Sequence, residues 1–102
     1  MSALTDFANG KPCMIRIDAV CSHDPEQTVA CHVTLPGYHG TGKKMPDLFI
    51  AFGCFNCHDA VDRRRFTHLD REFVRQCLLE GMIRTQAYIL EKAPHLLAKV
   101  AA

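Results

Sequence analysis

The sequence predicts a small α+β domain, a β-hairpin followed by helices with a long one at the C-terminal end, stapled by a metal. Three observations predict it. Residues 28–35 alternate between apolar and less apolar positions and residues 48–52 form a short apolar run, so the two read as neighbouring strands. Cys54 and Cys57 form a Cys-x2-Cys turn, whose thiolates can point at one metal, and Cys13 and Cys21 complete a four-thiolate, closed zinc set. From residue 67 to about 92, apolar residues recur at helical spacing.

Size and charge bound the rest. At 102 residues the chain is expected to be one domain, 1–102 with a core over about 10–92, small enough that a metal staple adds useful stability. A formal net charge of +1 excludes a wholly basic DNA binder, so phosphate contacts must come from local clusters. Six cysteines fit a disulfide framework or a metal site. The first residues lack the charged and apolar regions of a signal peptide, and no stretch is apolar enough to span a membrane. The expected compartment is therefore a reducing one, the cytoplasm, where this spacing favours metal.

In chain order, Asn9-Gly10 and Pro12 end any helix begun over residues 3–8. Residues 13–17 alternate and read as a short strand. Residues 18–27 are polar and turn-rich, so Cys-x7-Cys suits the two ends of a bent ribbon. In the strand 28–35, Val29, Cys31, Val33 and Leu35 share one face, and Ala30, His32 and Thr34 the other. His32 thus projects from the less apolar side. Residues 36–44 form a Gly-rich loop ending in Lys43 and Lys44, suited to close approach by a phosphate but lacking Walker spacing. The run 48–52, apolar on both faces, is a buried strand, antiparallel to the first.

A short helix is expected over residues 58–65, with acidic residues early and basic ones late, as the macrodipole prefers. His58 and Asp62, four apart, share a face of it. Thr67-x-x-Asp70 resembles a capping box opening the long helix. Its expected core stripe is Phe73, Cys77, Leu78, Met82, Ile83, Ala87 and Leu90, with Gly81 a point of bending. Residues after Pro94 read as a frayed tail.

Strand, loop, strand, knuckle and helix bring His32 towards His58. A histidine on the first strand and a metal ligand at the helix start form the layout of ββα-metal nucleases, so the expected class is a zinc-stapled ββα-metal, HNH-like domain. A neutral imidazole on the strand takes a proton from water, and a divalent cation at the helix polarises the phosphate.

Further residues carry a resemblance that covers residues 10–85. They are Cys13 and Cys21, His32, Gly40-Thr41-Gly42-x-Lys44-x-Pro46-Asp47-Leu48, Cys54-x2-Cys57-His58-Asp59, Asp62-Arg63-Arg64, and Leu79-Glu80-Gly81-Met82 with Arg84-Thr85. The chain resembles the small HNH-type phage and prophage proteins typified by YbcO, and the nuclease domain of the phage RecA-dependent nuclease Ref. The resemblance implies a metal-dependent DNA endonuclease, cutting DNA with Mg²⁺ or Mn²⁺ in phage recombination or DNA processing, with a recombinase such as RecA as a candidate partner. It implies His32 as the general base and His58 as a ligand of the catalytic ion. Asp47 stands where many HNH proteins have Asn, a residue that orients the base. Just before the base, where an acidic or histidine ligand is usual, this chain has Cys31, which faces the apolar side. Asp62 is the expected substitute, with His39, Asp59 and His68 as other candidates.

Lys43, Lys44, Arg63, Arg64 and Arg65 are expected to form a phosphate-binding rim. The competing reading is a zinc-stapled module that binds DNA or a recombination protein without cutting; it would need the four cysteines but not His32 and His58. A redox role for Cys54 and Cys57 is disfavoured, because a thioredoxin-like βαβ context is absent and two further cysteines are at hand. Oligomeric state is left open.

Overall fold

A computed structural model describes residues 3–35 and 45–101. His39, Lys43 and Lys44 lie outside the described residues. In order come α1 (Ala3–Phe7), a 3₁₀ turn (Pro25–Gln27), β1 (Val29–His32), β2 (Ile50–Gly53), α2 (Phe55–Val61), α3 (Arg71–Lys92) and α4 (His95–Ala101). Among the described residues, no helix is long and apolar enough to cross a membrane.

The two strands pair antiparallel as expected, with Val29 opposite Gly53 and His32 opposite Ile50. The Val33 amide extends the ladder by donating to the Phe49 carbonyl at 2.8 Å. Strand alternation divides the core in two. Cys31 and Ala51 face a cluster with Ile15, Ile17, Cys57, Val74 and Leu78. Ile50 and Phe52 face another with Leu4, Met14, Ile89 and Leu96. All of β2 is buried, as its unbroken apolar run requires. Each large side chain removed from water there contributes about 1.5–3 kcal/mol.

Residues 13–17 are not a strand. Only the Met14 amide reaches β2, donating to the Phe52 carbonyl at 2.6 Å, before Arg16 (φ +54°) and Ala19 (φ +64°) turn the chain through the left-handed region. A strand cannot contain such residues, and here they fold Cys13 and Cys21 back upon each other.

The long helix is real, but its cap and buried face differ from expectation. Asp70, not Thr67, is the N-cap, its Oδ2 accepting from the Phe73 amide at 3.0 Å. The buried face is Val74, Leu78, Gly81, Thr85 and Ile89, while Phe73, Ile83 and Leu90 of the expected stripe are exposed. Close approach, not apolarity, chose this face. A Cβ on Gly81 would lie 2.9 Å from the Ile15 Cα and 3.0 Å from the Met14 carbonyl oxygen, so the cysteine loop crosses α3 there and the helix runs on unbroken. Thr85 Oγ1 accepts from the Phe52 amide at 3.0 Å and donates to the Gly81 carbonyl at 2.7 Å, so this buried hydroxyl is satisfied.

Two further corrections concern ends. Helix α2 starts at Phe55, before His58, and closes at Val61, so Asp62 is its C-cap and Arg63, Arg64 and Arg65 lie beyond it. The expected frayed tail is α4, whose buried Leu96 packs with Leu4 and Ala8 around α1.

Candidate functional site

Four thiols meet where β2 passes into α2. Cys54 caps α2, its Sγ accepting from the Cys57 amide and from the Ser22 amide, both at 3.4 Å. Cys57 follows one turn on, and the loop supplies Cys13 and Cys21. Asn56 Nδ2 pins that loop by donating to the Val20 carbonyl at 3.1 Å. The four Sγ atoms lie within 4.8 Å of one another, and none is in a disulfide. Tetrahedral thiolates around zinc, each about 2.3 Å from the ion, stand about 3.8 Å apart, and Cys21 and Cys54 are already at 3.9 Å. This donor set could hold a soft, tetrahedral ion such as zinc.

Their protons follow the geometry. A hydrogen bond from Cys57 holds the Cys13 thiol down to about 4 and pushes the Cys57 thiol up. Burial pushes Cys21 up to about 11. Burial also opposes ionisation of Cys54, yet the Ser22 and Cys57 amides hold it below the usual value. Cys31 and Cys77 stand outside the set, both raised by burial.

At the C-terminal end of α2 lies a cleft of about 510 Å³, lined by His32, Thr34, Asp62, Arg63 and, from α3, residues including Arg71, Glu72 and Arg75. Val61, Val74, Leu78 and Leu79 add aliphatic lining. His32 is half-buried, its Nε2 2.9 Å from Asp47 Oδ1. His58 Nε2 is 3.2 Å from Asp62 Oδ2, one helical turn away. His32 and Asp62, apart in sequence, therefore share one cavity, and His58 reaches it through Asp62. Among the described residues, the four cysteines are the one group of three or more donors arranged to hold a metal, so His58 and Asp62 supply two donors only.

Of the expected basic rim, Arg63, Arg64 and Arg65 lie among the described residues. Arg63, at φ +59°, turns its guanidinium inward: Nη2 donates to the Thr67 carbonyl at 2.8 Å, and Nε and Nη1 are buried without partners among the described residues. Arg64 pairs with Asp62 at 2.8 Å and Asp59 at 3.4 Å; Arg65 pairs with Asp59 at 2.8 Å. The Asp59 carboxylate is thus engaged by two arginines, and His68 is an exposed residue of the turn before α3. Arg71 and Arg75 were missed by sequence reasoning. Their spacing of four on the first turns of a helix was a signal available to it.

Comparison with known proteins gives a concordant result. The family model described as "Putative nuclease YbcO" matches residues 2–93. Two curated proteins, "Putative nuclease YbcO" of Escherichia coli strain K12 and "Putative nuclease ybcO" of Enterobacteria phage 82, are each 44% identical over 93 residues, covering 90% of this chain and 95% of theirs. A solved structure, described as "Structure of a putative bacteriophage protein from Escherichia coli str. K-12 substr. MG1655", matches with TM-score 0.71 and 37% identity, over 84% of this chain and 94% of that one.

Proposed function

The chain belongs to the YbcO family, and from that premise we propose that it is a metal-dependent DNA endonuclease of the HNH, ββα-metal type, acting in phage recombination or DNA processing. The observation that carries this reading is the single cleft lined by His32, held by Asp47, and by Asp62, held by His58. The nuclease name of the relatives supports it.

Cys13, Cys21, Cys54 and Cys57 take a structural Zn²⁺. His58 and Asp62 would hold Mg²⁺ or Mn²⁺, ions that keep several waters and accept substrate phosphate oxygens as further ligands. When bound there, such an ion supplies Lewis-acid polarisation of the phosphate.

The protein's own part falls to the histidine pair and its carboxylates. Ionised Asp47 can only accept a hydrogen bond, so it fixes the proton of neutral His32 on Nε2, which donates to it, and leaves the lone pair on Nδ1. A neutral His32 then removes a proton from the attacking water, and Asp47 stabilises the imidazolium that forms. The deciding experiment incubates purified protein with supercoiled plasmid and Mg²⁺ or Mn²⁺, with EDTA as the blank. Nicked or linear product is expected. His32→Ala should retain fold and zinc and cut about 10²–10⁴-fold more slowly, and His58→Ala should require more added metal. A wild-type protein that cuts no DNA with any divalent ion, or a His32→Ala variant as fast as wild type, refutes the proposal.

One observation favours a second reading, a zinc-stapled module that binds DNA or a recombination protein such as RecA. Asp62 Oδ2 is already shared by Arg64 and His58. The same plasmid assay decides between the two.

A further inference from the structure

The cleft has a wall that the cleavage chemistry leaves unused. Arg71 and Arg75 stand one turn apart at the start of α3, and both line the cleft with His32. Arg75 Nη2 donates to the Thr34 carbonyl at 2.7 Å, two residues beyond His32, which ties its guanidinium to the end of β1. A carbonyl is neutral, so the charge of Arg75 is not cancelled. Among the described residues neither Arg71 nor Arg75 is in an ion pair. Glu72, between them, offsets one charge and leaves the wall net positive. Arg64 and Arg65 differ, because Asp59 and Asp62 already match their two charges.

We infer that Arg71 and Arg75 are the phosphate-contacting residues of this site, holding the backbone of a DNA strand across the cleft beside the bond that His32 addresses. The inference rests on the reading of the cleft as a phosphodiester site. A guanidinium offers a planar fork that matches phosphate oxygens, and one already anchored at β1 loses less freedom when it binds. Such contacts position a strand without reading its sequence. Cationic groups that meet phosphates release counterions, whereas arginines already matched by carboxylates release few.

The test is a fluorescence-anisotropy titration of a labelled DNA duplex with zinc-loaded His32→Ala protein, over about 50–200 mM salt. Adding Arg71→Gln and Arg75→Gln should weaken binding and flatten the plot of log affinity against log salt by about one unit per arginine. Asp59→Asn with Arg65→Gln, which deletes a matched pair, should leave the slope unchanged. Arg75→Lys should restore the slope by restoring the charge. If the double arginine variant does not fold, Arg71→Gln alone, at an exposed position, should still lower the slope by about one unit. An unchanged slope, or an equal loss in the Asp59, Arg65 variant, overturns the inference, as does absence of binding. An unchanged slope in a protein that cuts plasmid sinks this inference alone. A flattened slope in a protein that never cuts sinks the endonuclease reading and leaves the arginines as a DNA site.

Discussion

His32 lines the same cleft as Asp62, and strand parity aims its ring at Asp47. Its neighbours Cys31 and Val33 are buried, so the alternation of a strand turns the imidazole the other way. Asp47, fifteen residues on, meets it because antiparallel pairing of β1 and β2 sets the two ends side by side. In the proposed mechanism Asp47 orients His32, and orienting partners of this kind are worth about 10–100-fold. Asp47→Ala should therefore slow plasmid cleavage by roughly that factor, while Asp47→Asn, which keeps an acceptor oxygen, should recover most of it. An alanine variant with the wild-type rate would show that His32 needs no brace. Arg63 teaches the opposite lesson. Its charge was legible, but its left-handed backbone turned the guanidinium inward, which no count of basic residues reveals.

Among the elements, α3 joins the two halves of the core to the metal loop. Val74 and Leu78 pack on one side of the sheet and Ile89 on the other, and Gly81 lets the cysteine loop cross between them. Arg84 secures the crossing by donating to the Met14 carbonyl at 2.7 Å. Two effects oppose each other in Gly81→Ala. Helix propensity favours alanine by about 1 kcal/mol, whereas overpacking costs about 1–3 kcal/mol. The contacts at 2.9–3.0 Å are largely with backbone, which yields poorly, so the clash should win. We expect a lower urea midpoint for Gly81→Ala with an unchanged m-value. A more stable variant would mean that the loop moves freely over the helix.

At the scale of the whole molecule, the four thiols join a loop, a strand end and a helix start that no long element connects. A zinc ion held by them would contribute its binding energy to folding. Cys57→Ser should lose the metal, and a loss of even about 3 kcal/mol would lower Tm by roughly 12–24 °C in a domain of this size. Cys77→Ser, outside the set, should not. Acid should act in the same direction. Cys21, raised to about 11, and Cys57, also raised, hold their protons at neutral pH in the metal-free protein. A zinc ion bound by the four thiolates would have to expel both, so zinc affinity should rise with pH, by about two decades per unit or more near neutrality. Competition against a coloured zinc chelator measures this; a flat profile would mean that these thiols are not the ligands.

Sequence by itself determined the pairing of the two strands, the end of α3 at Lys92 and the company of Cys13, Cys21, Cys54 and Cys57. Each follows from a local rule: alternation, helical spacing, thiol spacing. The tertiary structure alone decided the loop at residues 13–17, the buried face of α3 and the docking of α4. It also decided which arginines keep an unmatched charge. These depend on what a residue meets from far along the chain. Gly81 is buried because Ile15 crosses it, and Arg64 is matched because the end of α2 folds Asp59 and Asp62 against it. Period and composition describe a residue's own segment, whereas close approach and ion pairing are properties of two segments at once.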